Sequence, residues 1–126
     1  IFPPERNFEM TYVDGFVVPV PHANKESYRA LAEKMLPIFR EYGALNVVEC
    51  WEVNVPDGEV TSFPMAVKCT ADETVVFSWI TWSSREARDA GHAKVFADPR
   101  VAGMMESMPF DGKRMIFGGF DVMLEG

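Results

Sequence analysis

Between Tyr12 and Leu124, runs of β-branched and aromatic residues alternate with runs of helical periodicity, and their order leaves few ways to fold. Tyr12-Val-Asp-Gly-Phe-Val-Val-Pro-Val20 is rich in strand formers and is closed by Pro19 and Pro21. Asn24 is placed to cap the next helix, which Ser27 and Tyr28 open. Tyr28, Leu31, Ala32, Met35, Leu36 and Phe39 then recur at spacings of three and four, a single apolar stripe. Pro37 should tighten the last turn and Gly43 end the helix. Leu45 to Val53 reads as a second strand, and Val75-Val-Phe-Ser-Trp-Ile-Thr-Trp82 is the strongest strand signal in the chain. Ser83 or Ser84 caps a helix running to Phe96, Asp98-Pro99 begins another short one, and a last strand spans Arg114 to about Leu124.

The segment Ser62-Phe-Pro-Met-Ala-Val-Lys-Cys69 has strand propensity, but topology opposes a strand there. The order β-α-β … β-α-β makes a split βαβ sheet in which the second and third strands run antiparallel. A further full strand between them would reverse the third and spoil both right-handed crossovers. Ser62 as cap and Pro64 in the first turn predict a short helix instead. The fold class is therefore α+β, a βαββαβ sheet with an extra short helix.

Helices on one side of such a sheet leave its other side bare. Leu45, Val47, Glu49, Trp51 and Val53 share one side of the second strand, and Val48, Cys50 and Glu52 the other. In the third strand Val75, Phe77 and Trp79 oppose Val76, Ile80 and Trp82. Both faces are substantially apolar, and a bare apolar face of this size must be covered. A symmetric homodimer pairing two such faces covers it, which is the dimeric α+β barrel arrangement.

At 126 residues, 48% hydrophobic and 25% charged, the chain has the length and balance of one soluble domain. We place that domain at residues 10–126 and treat residues 1–9, Ile1 to Glu9, as an extension outside the fold. No apolar run approaches the roughly 18 residues of a membrane helix, so no membrane partner is expected. The 19 acids against 12 bases, net −7, oppose nucleic-acid binding, which needs lysines and arginines to neutralise phosphates. Cys50 and Cys69 form no C-x-x-C pair and suit a reducing cytoplasm.

Several blocks carry a family resemblance. They are Tyr12-Val-Asp-Gly-Phe-Val-Val18, Val48-Glu-Cys-Trp51, Val55-Pro-Asp-Gly58, Met65-Ala-Val-Lys68 and Val75-Val-Phe-Ser-Trp-Ile80. Asp98-Pro-Arg100 and the stretch from Glu106 to Phe120 complete the set, in order and without large gaps. Together they resemble the YbaA-like family of small bacterial proteins, a domain of unknown function (DUF1428). The resemblance implies a ferredoxin-like half that dimerises into an α+β barrel. Related barrels include cofactor-independent monooxygenases, small isomerases and haem-binding enzymes. The family supplies no accepted catalytic residues.

Candidate chemistry therefore comes from the residues themselves. Asp14 and Glu49 each interrupt a nearly continuous apolar strand, where a carboxylate must be paired, hydrogen-bonded or protonated. Pairing with Lys68, Lys113 or Arg114, or reaching solvent at a sheet end, would be the structural outcome; a shared interior would instead make either a base of raised pKa. His92, beside Gly91 on the second long helix, is the third candidate for acid–base work. Trp51, Phe77 and Trp79 are candidates to wall a pocket for a planar ligand, with Trp82 beside them. Gly118-Gly119 inside a strand predicts a bulge. Arg85, Arg88, Lys94 and Arg100 read as a solvated face.

No phosphate loop, nucleophile elbow or metal-ligand spacing is present, so neither a cofactor nor a metal is expected. Two readings of function follow. In the first, an unidentified small molecule is bound or transformed in the barrel cavity, with Asp14, Glu49, Trp51 and His92 converging on one pocket. In the second, a non-catalytic homodimer presents the loops Pro56–Phe63 and Ser107–Lys113 to another protein.

Overall fold

The structure, a computed structural model, describes residues 11–126; the extension read at residues 1–9 lies outside the described residues. Four strands, β1 (Tyr12–Pro21), β2 (Asn46–Trp51), β3 (Glu73–Trp82) and β4 (Ile116–Asp121), form one antiparallel sheet in the order β2-β3-β1-β4. The long helices α1 (Lys25–Glu41) and α3 (Arg85–Ala97) follow β1 and β3, as two right-handed crossovers require. A short α2 (Phe63–Ala66) lies between β2 and β3, and α4 (Pro99–Met104) extends α3. This is the ferredoxin-like α+β fold.

Local chemistry accounts for most element ends. The Ser62 hydroxyl accepts the Met65 amide at 3.1 Å with Pro64 in the first turn, so residues 62–69 begin as a helix. Ser84 caps α3 through the Ala87 amide, and Asp98 caps α4 through the Arg100 amide. Asn24 differs from expectation. A 3-10 turn, His22–Asn24, precedes α1, and the Asn24 side chain donates to the Pro109 carbonyl at 3.0 Å instead of capping. The same bond ties the loop after α4 to the start of α1. Pro37 is accommodated inside α1, which ends before Gly43 at a φ of 111°. The strands β2 and β4 are shorter than their apolar runs, and a 3-10 turn at Gly112–Arg114 replaces the predicted start of β4.

The pairing register sets the two faces. Asp14 lies opposite Ile80 and Gly119, and Glu49 opposite Ser78. Tyr12, Asp14, Phe16, Val18, Val47, Glu49, Trp51, Val76, Ser78, Ile80 and Trp82 consequently share the face beneath α1 and α3. Clusters around Trp82, Val18 and Ile38 form the core between sheet and helices. The outer face carries Val17 and Val75 beneath Val67 at one end, where α2 sits. The rest of that face is open, with Phe77 43%, Ile116 45% and Phe120 62% exposed.

Candidate functional site

On the inner face two polar groups stand in apolar surroundings. The first is built on Asp14, 4% exposed in the middle of the sheet. Trp82 Nε1 donates to Asp14 Oδ2 at 2.9 Å, and His92 Nε2 lies 3.0 Å from the same oxygen. The Arg88 guanidinium approaches the other oxygen, with Nε 3.7 Å from Oδ1, and donates from Nη2 to the Tyr12 hydroxyl at 2.7 Å. A buried carboxylate so surrounded has its oxygens paired, which is the condition for leaving it in a core. His92 is packed edge-on among Phe39, Trp82 and Phe96, at centroid distances of 6.3, 5.7 and 5.8 Å.

Helical spacing creates this cluster. Arg88 and His92 are one turn apart on α3, and Gly91 and Val95 complete its inward face. At Gly91 any Cβ would overlap the Trp82 ring and come within 2.7 Å of the Tyr42 carbonyl oxygen. Glycine is what lets α3 descend far enough for His92 to reach Asp14. Gly119 has a related task. Its position opposite Asp14 falls in an unbroken register, so no bulge is present, and a Cβ there would collide with the Tyr12 hydroxyl. Arg88 corrects the solvated-face reading of the basic residues on this helix, because its guanidinium turns inward over the Tyr12 ring at 4.8 Å.

The second group is Glu49. It does not join Asp14: the Tyr28 hydroxyl donates to its Oε1 at 2.7 Å. The residue as a whole is exposed, yet its carboxyl is raised above the ordinary 4.5, desolvation being the largest cause and hydrogen bonds from Tyr28 and Ser78 opposing it. Tyr28 is pushed up as well, by burial and by the adjacent Glu49. The lysine and arginine partners expected for these carboxylates are engaged elsewhere or absent. Arg114, for one, clasps Glu73 through two nitrogens at 2.8 and 2.6 Å.

Glu49 and Tyr28 form the shared wall of two hollows. The inner one, about 170 Å³, lies between α1, the sheet and the loop after α4, with Phe16, Met35, Phe39, Phe96, Met108 and Ser78 among its walls. Glu49 is the one charged residue that lines it. The outer one, about 410 Å³, continues along α1 and β2 past Lys25, Arg29 and Trp51. Lys25 Nζ stands 5.2 Å over the Trp51 ring.

The predicted convergence of Asp14, Glu49, Trp51 and His92 on one pocket is corrected by this geometry. Asp14 and His92 meet on the α3 side, whereas Glu49 and Trp51 belong to the α1–β2 side. The aromatic wall divides too. Phe77 and Trp79, 5.5 Å apart, lie on the outer face with Phe63, across the sheet from Trp51. Strand alternation alone separates these residues, because Trp51 lies opposite Val76 and not Phe77 or Trp79. Sequence reasoning misses Tyr28 and Arg88. Tyr28 is hidden in the α1 stripe, and the i, i+4 relation of Arg88 to His92 is the available signal for the other. Among the described residues no group of three or more His, Cys, Asp or Glu side chains converges as a metal-binding set. No helix among them is long and apolar enough to cross a membrane.

Sheet order, crossovers and a hollow with one acid define a ferredoxin-like α+β protein with an apolar cleft between sheet and helices. The chain belongs to the family described as Protein of unknown function (DUF1428), which matches residues 11–112. It is 57% identical over 116 residues to Uncharacterized protein YbaA of Escherichia coli (strain K12), covering 92% of this chain and 99% of that one. The same figures hold for Uncharacterized protein YbaA of Shigella flexneri.

Solved structures similar in fold include a dimeric ferredoxin-like protein from an uncultured marine organism, with TM-score 0.62, 12% identity, and 94% and 100% of the two chains covered. Another is SnoaB, a cofactor-independent oxygenase from Streptomyces nogalater, with TM-score 0.57 and 10% identity over 90% and 95% of the chains. A third is a monooxygenase from the gene ActVA-Orf6 of Streptomyces coelicolor, in complex with the ligand Nanaomycin D, with TM-score 0.53 and 17% identity over 94% and 93%. At these identities the likeness establishes the fold alone.

Proposed function

We propose that this protein is a cytoplasmic homodimer that binds a small planar molecule in the cleft between α1, the sheet and the loop after α4. The observation that carries the reading is an apolar hollow of about 170 Å³ in which Glu49, hydrogen-bonded to Tyr28, is the one charged group. Ligand sites combine apolar walls with a small number of placed polar atoms. A dry cavity of about 150 Å³ is enough for benzene. This cleft takes one ring, with room for a second toward the outer hollow. The ligand's polar atom meets Glu49, and the aromatic walls exclude water around it. The oxygenases of similar fold support small-molecule use of this architecture. The dimer rests on the open outer face, which carries Phe77, Ile116 and Phe120 in exposed positions. A reducing compartment suits the free thiols of Cys50 and Cys69.

The test uses 2-naphthol, a two-ring planar molecule with one hydroxyl. We expect saturable binding, one molecule per protomer, followed by the naphthol fluorescence. Glu49→Ala should weaken it about tenfold, the worth of one hydrogen bond of roughly 1.4 kcal/mol. Non-saturable binding, or equal affinity in the variant, would remove the cleft from consideration.

A further inference from the structure

The polar groups in the wall of the inner hollow leave Glu49 one kind of partner. Among the described residues, three side chains bring oxygen or nitrogen to that wall: Tyr28, Glu49 and Ser78. The Tyr28 hydroxyl gives its single hydrogen to Glu49 Oε1 at 2.7 Å, and burial beside Glu49 pushes the phenol up, so that it keeps that hydrogen. Ser78 lies opposite Glu49 in the strand register, and its hydroxyl is hydrogen-bonded within the same pair. Both hydroxyl hydrogens are thereby committed, while Glu49 Oε2 still has lone pairs to offer. The wall presents acceptors and no side-chain donor, so an occupant has to bring the hydrogen itself.

Charge narrows the choice of donor. No lysine or arginine among the described residues forms an ion pair with Glu49. In the outer hollow Arg29 is bound to Glu33 at 3.0 Å, and Lys25 Nζ stands over the Trp51 ring. A carboxylate drawn out of water without a cation is costly, and desolvation is the largest cause of the raised Glu49 pKa. The remaining wall suits an organic cation. Phe16, Phe39, Phe96 and Phe110 supply aromatic rings, and Met35 and Met108 supply polarisable thioethers. The net charge of −7 draws cations toward the protein as a whole.

Resting on the cleft reading above, we propose that the ligands of this cleft are arylalkylamines in their ammonium form, and that Glu49 is the residue that selects them. The ammonium donates to Glu49 Oε2, and the aryl ring lies among the phenylalanines and methionines. Tyr28 holds Oε1 and so leaves the other oxygen to the ligand. A neutral alcohol of the same shape makes the same bond without the charge, and such bonds are about half as strong. An aromatic carboxylate of the same shape meets Glu49 as a like charge, with no cation in the inner wall to receive it.

The test is a charge series at constant shape: 2-naphthylmethylamine, 2-naphthalenemethanol and 2-naphthoate, each titrated into the intact protein at neutral pH and followed by naphthalene fluorescence. Salt at about 0.15 M screens the general attraction of an acidic protein for cations. We expect the ammonium to bind one per protomer, to displace 2-naphthol, and to bind at least tenfold tighter than the alcohol, with the carboxylate weakest. Glu49→Gln should bring the ammonium and the alcohol to equal affinity. Should that variant fail to fold, the wild-type series carries the test alone. An alcohol or carboxylate that binds as tightly as the ammonium, or an ammonium preference that survives in Glu49→Gln, would overturn the amine proposal and leave the cleft standing. Absence of binding by all three compounds and by 2-naphthol would overturn the cleft reading and the amine proposal together.

Discussion

Trp82 and His92 hold the same oxygen of Asp14, at 2.9 and 3.0 Å, one from the end of β3 and the other from the middle of α3. The bond partners of one buried carboxylate thus tie strand to helix. Trp82→Phe keeps most of the ring volume and deletes one donor to a charged acceptor. We expect a loss of about 1.5–3 kcal/mol, read from urea denaturation. Stability within about 0.5 kcal/mol of wild type, the scatter of a neutral surface change, would mean that the indole nitrogen contributes nothing.

Gly91→Ala should be more damaging than its small size suggests. The added methyl meets the Trp82 ring and the Tyr42 carbonyl, and neither is the free end of a flexible side chain. Overpacking of this kind costs about 1–3 kcal/mol. The tilt of α3 should change with it, seen as altered NMR shifts at His92. A Gly91→Ala variant with wild-type stability and shifts would contradict the packing described.

Acid sensitivity should trace to Glu73. Its clasp with Arg114 lowers its pKa from 4.5 to about 2, the hydrogen bonds from Arg114 being the largest cause. A carboxylate whose folded pKa is depressed adds stability above its unfolded value, and that stability is lost as pH falls through the folded value. Arg114→Met should therefore be less stable than wild type above the unfolded value. The gap should narrow between pH 4.5 and about 2, followed by denaturation at a series of pH values. A gap independent of pH would point to the loss of Arg114 packing alone.

Glu49 should show the opposite slope. Its folded pKa lies above the ordinary 4.5, so both folded and unfolded forms are protonated well below that value. The folded state then loses stability as pH climbs through the raised value. Gln, a neutral mimic, can still accept the Tyr28 hydroxyl. Glu49→Gln should match wild type in acid, below the ordinary value, and gain on it toward neutral pH. A variant that falls further behind as pH rises would reverse the sign and show the carboxylate to be favourably placed.

The outer face predicts the assembly. Phe77 and Phe120 present exposed rings on it, and Phe120 is adjacent to the glycine pair of β4. Placing a lysine at either, Phe77→Lys or Phe120→Lys, should convert a dimer to monomers in analytical ultracentrifugation while the circular dichroism is unchanged. A dimer that survives both substitutions would have to use another surface.

Much of this architecture is legible in the sequence because it rests on local rules. Ser62 with Pro64 marks α2 against its strand propensity, and alternation in β3 places Val75, Phe77 and Trp79 opposite Trp82. Asp14 and His92 stand out as polar residues in apolar elements, but periodicity gives no distance between a strand and a helix far apart in the chain. Arg88 escapes for the same reason. A basic residue on a mixed-charge helix is ordinarily solvated, and only the descent of α3 permitted by Gly91 turns it inward. The bulge expected at Gly118-Gly119 is the wrong account of a correct anomaly, since what the space admits is the Tyr12 hydroxyl from the neighbouring strand. Glu49 and Trp51 share a face with Asp14, which groups them in sequence, and a face is wider than a site.

The short helix α2 has a geometric effect beyond its own length. It buries Val67 to 1% exposure against Val17 and Val75, while Phe77, further along the same strand as Val75, remains 43% exposed. One corner of the outer face is therefore roofed by the chain itself. Anything laid flat on that face must clear that corner. In the homodimer proposed above, two copies related by a two-fold axis would each have to clear the other's helix, so that α2 would act as a mechanical stop and a few residues outside both sheets would limit how the sheets overlap.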